Sequence, residues 1–435
     1  MWQDFKYYRM GLGINMLWNA YPIVTIVRDG FGIGPAGSVA TVLFWAVGLV
    51  LLQPFQIFQR VYAPNPVLAF FGVAFMALSF IYLNYYLPQN ILGYDKVREL
   101  LSYAFPLAFL IALCYYPNDK VDKILPVIIL FTMVANIGLI YHLLTSPYWT
   151  FGERAAIRFS SSERQSNNPH AFASNALYCL LAAAVYSTQV KYSLTRIFCY
   201  LCILTSLVVL VFCRTNSSLF SLGLMLFCAL LFRGRHVLAA TFNKSALFSM
   251  VFLITAVVVL IRRSPRLSLG LEIYMKTIST RALNTFYTAS GVKLSQTQSI
   301  DVDASSVYRV YSYQYIQEMF REGKWGEILV GEGYKSQFMD VPILESLANQ
   351  GILGILFYSA FMLFLAIYSF LQIIRPTNGL SAVLAYFSFV LLLASVSMGR
   401  PFDNSVAMPF MMYIRFLGIK YYPASTNSLS LPVSS

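Results

Sequence analysis

The sequence predicts an all-α polytopic membrane protein, with about twelve transmembrane helices and one large polar loop between the ninth and tenth. Three observations carry this. Only 11% of the 435 residues are charged, 58% are hydrophobic and the mean hydropathy is +0.63, whereas a soluble domain is about a quarter charged. Apolar runs of about 20 residues recur, each long enough to cross a ~30 Å hydrocarbon layer as a helix that satisfies its own backbone. Aromatic residues make up 16%, Tyr and Phe foremost, which suits rings at a lipid–water boundary.

Taken in order, the runs lie near 10–27, 36–57, 66–86, 100–116, 122–146, 170–188, 195–213, 216–232, 240–261, 350–373, 380–397 and 403–420. The first is weak, interrupted by Asn15, Asn19 and Pro22. Met1 leads into Lys6 and Arg9 with no small-residue cleavage site, so this is expected to be an uncleaved span. No short fixed period and no inverted halves are visible. The chain therefore divides into spans one to nine (1–261), the large loop with short helices (262–349), spans ten to twelve (350–420) and a polar tail (421–435).

Orientation follows from Lys and Arg in the short loops. With the N-terminus inside, inner connections carry Arg60, Lys120 and Lys123, Lys191 and Arg196, Arg233, Arg235 and Lys244, Arg375, and Lys420. Both termini are then cytoplasmic. The same assignment puts Arg154, Arg158 and Arg164, Arg214 and Arg400 on the outer side, together with the many cations of the large loop, Arg309 and Lys335 among them. Long loops translocate whatever their charge, but an arginine in a short outer turn costs solvation unless something anionic meets it. Its planar fork suits phosphate. The net charge of +13 is no guide by itself, because position across the bilayer decides what each cation does, and basic residues facing the outside of a membrane do not imply nucleic acid.

The outer stretches also hold the motifs. The six cysteines fall in or beside apolar runs, without metal-ligand spacing or a disulfide framework, and read as small packing residues. Arg158 and Arg164 precede Asn168-Pro169, a good cap and first turn for the next helix, with His170 beside them as a polar cap. A helix start beside arginines attracts an anion, although a solvated loop explains the same residues. Arg214 is followed by Thr215, Asn216, Ser217 and Ser218, which suit either a capped helix with a usable arginine or one snorkelling to headgroups. In the large loop a helical spacing (Val310, Tyr313, Ile316, Phe320) follows Arg309 and is broken by glycines, of which Gly331 and Gly333 permit a tight turn or close backbone approach. Asp340 stands where the chain returns to the membrane, as a base, a hydroxyl-orienting group or a cap. Glu345 follows near the spacing that puts the two carboxylates on neighbouring parts of one helix face. Asp301 and Asp303 read as solvated loop. No zinc spacing and no Ser–His–Asp set is present.

In this order and on this shared side, the residues resemble the superfamily of bacterial O-antigen polymerases and O-antigen ligases. The likeness covers about Arg158 to Tyr358 and rests on Arg158/Arg164 with Asn168-Pro169, Arg214, Arg309 with Gly331-x-Gly333, and Asp340-x-x-x-Leu344-Glu345-x-Leu347-x-x-x-Gly351-x-x-Gly354. Ligases of the family place a His where this chain has Asp340, and the large loop holds none; the polymerase branch is favoured.

That resemblance implies an enzyme of the bacterial inner membrane with one large periplasmic loop. It would be a metal-independent glycosyltransferase without cofactor, moving a growing glycan from undecaprenyl diphosphate onto a lipid-linked repeat unit for O-antigen, capsule or exopolysaccharide. Arg158, Arg164, Arg214, Arg309 and Arg400 would bind the diphosphate. Asp340, or Glu345, would take the acceptor proton, and Asn168, Gly331 and Gly333 would shape the site. Expected partners are the undecaprenyl-diphosphate-linked oligosaccharide and membrane lipids, with a chain-length regulator and a flippase beside it. Two alternatives stand: a ligase joining polysaccharide to lipid A-core, and a flippase or exporter, which would instead carry charge near mid-bilayer.

Overall fold

A computed structural model describes residues 2–33, 38–53, 60–86, 96–146, 149, 154–155, 157, 169–190, 192–241, 255, 259, 272, 304–397, 399–401 and 404–418. Among these residues every regular element is helical. In chain order they are α1 (Trp2–Trp18), α2 (Ala20–Thr25), α3 (Val39–Leu52), α4 (Pro66–Tyr85), α5 (Lys96–Leu113), α6 (Ile124–Thr145), α7 (Pro169–Gln189), α8 (Ser193–Cys213), α9 (Asn216–Thr241), α10 (Ala304–Arg321), α11 (Trp325–Val330), α12 (Pro342–Ile374), α13 (Gly379–Ser397) and α14 (Asn404–Phe416).

Six described helices are long and apolar enough to cross a membrane: α4, α6 with its 3₁₀ entrance (Asn118–Thr145), α7, α8, α12 and α13. The expectation of about twelve is thus met only in part, and the reasons are local. The first span is two helices bent by 77° at Asn19, where the sequence already carries Asn15, Asn19 and Pro22. α3 and the apolar portions of α9 and α14 are shorter than 18 residues. α5 begins with Lys96, Arg98 and Glu99. The expected span 240–261 falls almost entirely outside the described residues, as does the tail beyond 418.

The ends of the helices gather at two poles. At one pole, the base, Lys123 pairs with Asp4 at 3.5 Å, the Arg9 guanidinium donates to the Gln53 carbonyl, and the Asn65 N–H donates to Ile414. The Gly379 N–H donates there to Asp122 at 3.0 Å. Arg415, fully buried, caps the end of α5 by donating to the Leu113 and Tyr116 carbonyls. At the other pole, the mouth, Lys335 meets Glu99, Gln350 donates to Ser79 and Arg400 faces Glu345. The starts of α1, α4, α6 and α13 and the ends of α3, α5 and α14 therefore share the base. The end of α4 and the starts of α5 and α12 share the mouth.

Between the poles the helices are held by hydrocarbon packing and a buried amide chain. Asn19 donates to Asn175, Asn175 to Asn136 at 2.8 Å and Asn136 to Ser206 at 3.1 Å. These bonds tie the bent first span to α6, α7 and α8, as interhelical polar groups do where no water competes. The described cysteines are free, four of them buried, in line with a packing role.

α12 is two helices in one. Pro342 opens it at the first turn after an extended Val341, where a missing N–H costs nothing. At Gly351 the backbone leaves helical geometry (φ 64°, ψ −158°), a conformation that suits glycine. The break separates a mouth segment, 342–350, from the span proper, 352–374. Carbonyls freed by the break find new donors: the N–H groups of Glu332 and Gly333 reach the carbonyls of Ala348 and Asn349 at 2.8 and 3.1 Å. Gly331 (φ 84°) and Gly333 (φ 115°) permit this. A Cβ on Gly331 would stand 2.5 Å from the Gln350 nitrogen, and one on Gly351 2.3 Å from the Leu329 oxygen. The expected close backbone approach at Gly331-x-Gly333 is met, with the broken helix as its counterpart.

Candidate active site

Residues 331–340 cross the mouth as a strap between α11 and α12, and the strap closes one side of a small hollow open to the outside. Tyr103, Tyr334, Lys335, Glu345, Ser346, Asn349, Gln350, Arg400 and Pro401 line it. The strap is pinned from both sides. On α5, Glu99 accepts from Lys335 and from the Tyr334 hydroxyl, both at 2.7 Å, and Tyr103 donates to the Tyr334 oxygen at 3.0 Å. On α12, Asn349 accepts from Ser336 and from the Gln337 N–H, and donates to the Gln337 carbonyl. Burial alone would raise the Glu99 carboxyl, but Lys335 and Tyr334 outweigh it and hold it below its ordinary value.

Glu345 is the central group. Its side chain is 1% exposed and precedes the break, outside the span proper. One carboxylate oxygen accepts the Met339 N–H at 3.0 Å and so fixes the strap to the helix. The other has looser partners, Asn349 at 3.4 Å and the Arg400 Nε at 3.8 Å. Burial pushes this carboxyl up to about 7, against the opposing pull of Arg400 and the Met339 N–H. Arg400 is held in turn over the Phe338 ring, 4.9 Å from its centroid. One oxygen thus holds the strap, and the other is held more loosely beside a cation at the edge of the hollow. A carboxyl poised near neutrality beside a guanidinium is suited to proton transfer.

The expected site residues separate into groups. Glu345 and Arg400 share the hollow, and Gly331 and Gly333 shape its strap. Asp340, the first choice for a base, is half-buried and does not line the hollow. The two carboxylates do not share a helix face, because the helix begins at Pro342 and Asp340 lies before it. Arg309 sits half-buried on α10, and Arg214 sits half-buried at the end of α8 with a left-handed backbone (φ 50°). Arg214 belongs to the corner where His170 on α7 meets Ser217 on α9 at 3.5 Å. Neither arginine is among the side chains lining the hollow, so the expected convergence of Arg214, Arg309 and Arg400 is not found there. Arg158, Arg164 and Asn168 lie outside the described residues, and α7 is described from Pro169 onward.

Sequence reasoning missed Glu99, Tyr103, Asn349 and Gln350, and took Lys335 only as one cation among many. The signal for Glu99 was faint: an acid between Arg98 and an apolar run. Its partners stand more than 230 positions along the chain. In comparisons with known proteins, no family model and no curated protein matches this chain.

Proposed function

We propose that the protein is a glycan polymerase of the envelope membrane, transferring a growing glycan from undecaprenyl diphosphate onto a lipid-linked repeat unit. The observation that carries this reading is the hollow at the mouth, where one buried carboxyl faces Arg400, with Lys335 beside them. Glu345 is proposed as the base that takes the acceptor hydroxyl proton. Arg400 and Lys335 steady the diphosphate oxygen as it leaves, a task preorganised cations perform well in a site shielded from water. The hollow is too small to enclose a repeat unit, so the substrate is proposed to lie along the mouth with only its reacting atoms at the carboxyl. Arg214 and Arg309 are proposed to meet lipid phosphates there.

Several features support the finer topology. The described helices alternate between the poles from α1 to α9, which ends at the base, and α10 resumes at the mouth. With the crossing that the sequence predicts near 240–261, the proposed total is twelve. On this reading the mouth is periplasmic, the large loop ends in α10, α11 and the strap, and both termini are cytoplasmic in a bacterial inner membrane.

The test is the glycan made by cells lacking the protein and complemented with variants. Single repeats in the deletion strain, rescued by wild type but not by Glu345→Gln or Arg400→Ala at equal membrane abundance, are expected. Unattached long polymer would indicate a ligase instead, and precursor trapped on the inner leaflet would indicate a flippase.

A further inference from the structure

The helical pair α10–α11 offers two apolar faces, and only one is used by the fold. Ile316 and Met319 of α10 join Ile328 of α11, Met339 and Leu347 in a small core beneath the strap. On the adjoining flank Val310, Tyr313 and Phe320 recur at helical spacing and are exposed, with Gln317 the one polar residue among them; Trp325 (61% exposed), Leu329 and Val330 continue the stripe along α11. The third flank of α10, with Gln314, Glu318 and Arg321, is exposed and polar. Three flanks in sequence, core, apolar and polar, are the pattern of a helix lying at a membrane surface.

The height of this stripe is fixed by its neighbours. The end of α11 abuts the break of α12, where the Leu329 carbonyl closes over Gly351. Immediately past that break Ile352, Leu353 and Leu356 face outward along the span. The Tyr82 hydroxyl donates to the Val330 carbonyl, and Tyr85 and Tyr86 at the end of α4 are exposed at the same level, as aromatic rings are at a lipid boundary. The unused stripe is thus continuous with the lipid-facing surface of the span. The rings of Phe320 and Trp325 meet edge-on at 6.4 Å, and Arg321 follows on the polar flank.

We propose that α10–α11 is an interfacial anchor whose exposed stripe lies in the headgroup region of the mouth-side leaflet, with Trp325 as its deepest ring. The occupant is the bilayer surface. The anchor sets the level of the strap, which follows α11 directly, and keeps Arg309 near lipid phosphates. The inference depends on the membrane reading but not on the glycan chemistry.

The full chain in phosphatidylcholine nanodiscs provides the test. Subtracting the fluorescence of Trp325→Phe from that of wild type isolates one exposed ring. Bromines at acyl positions 6 and 7 are expected to quench that difference signal by about twofold, while acrylamide in water quenches it weakly. A tryptophan placed by Gln314→Trp in the Trp325→Phe protein should behave in reverse. An unchanged melting temperature for both variants confirms that each is folded. If the Trp325 signal ignores brominated lipid and yields to acrylamide as Gln314→Trp does, the anchor is refuted, and a second copy or a soluble partner becomes the candidate for this face. Equal quenching of both rings by brominated lipid would also refute it, since the polar flank would not then be in water.

Discussion

At the scale of single residues, the role proposed for Glu345 turns on its protonation. Its carboxyl is raised from the ordinary 4.5 to about 7, so the ionised form is disfavoured in the folded protein. Its contribution to stability is therefore complete below about 4.5 and is lost as the pH rises through about 7. A base must be ionised, so transfer should run the other way, rising roughly tenfold per unit up to that midpoint and then levelling. Replacing Arg400 by Met removes the nearest cation and should move the midpoint of the rate profile upward. A profile unaffected by Arg400→Met would separate the guanidinium from the carboxyl it faces. Glu345, Arg400, Gly331 and Gly333 were legible in the sequence because each broke an otherwise apolar or periodic pattern. The choice between Asp340 and Glu345 was not, since it depends on Pro342 starting the helix two residues beyond Asp340. Glu99 was illegible for a different reason: its meaning lies in Lys335 and Tyr334, and single-sequence spacing carries no information about pairs that distant.

At the scale of elements, the broken helix and the strap form one unit. The break at Gly351 frees the Ala348 and Asn349 carbonyls, and the strap supplies the N–H groups that take them up. Gly351→Ala places a Cβ against the Leu329 oxygen in a left-handed conformation, which should cost about 2 kcal/mol or more. A melting temperature lowered by several degrees in nanodiscs, with activity lost before the fold, is the expected result; an unchanged melt would contradict the close approach. The sequence carries helical spacing in the loop and glycines that interrupt it, and α10 and α11 follow that pattern. It could not tell that the glycine at 351 interrupts a helix while the one at 354 does not. Both stand beside an apolar run, and only the end of α11 packed against one of them makes the difference.

At the scale of the molecule, helices alternate between a base rich in capping contacts and a mouth that holds the hollow. The helical class and the presence of several helices apolar enough to cross a membrane were legible from composition and run length alone, because hydrocarbon thickness and backbone hydrogen bonding leave few alternatives. The number of spans was harder to read: bends such as that at Asn19, and short helices such as α3 and α14, blur the relation between an apolar run and a crossing. The most direct test of the central claim is the chain length of product made by purified protein in nanodiscs supplied with lipid-linked repeat units from its own host. Wild type should build a ladder of polymer and Glu345→Gln should leave single repeats, with both proteins equally folded. A full ladder from Glu345→Gln would contradict the account.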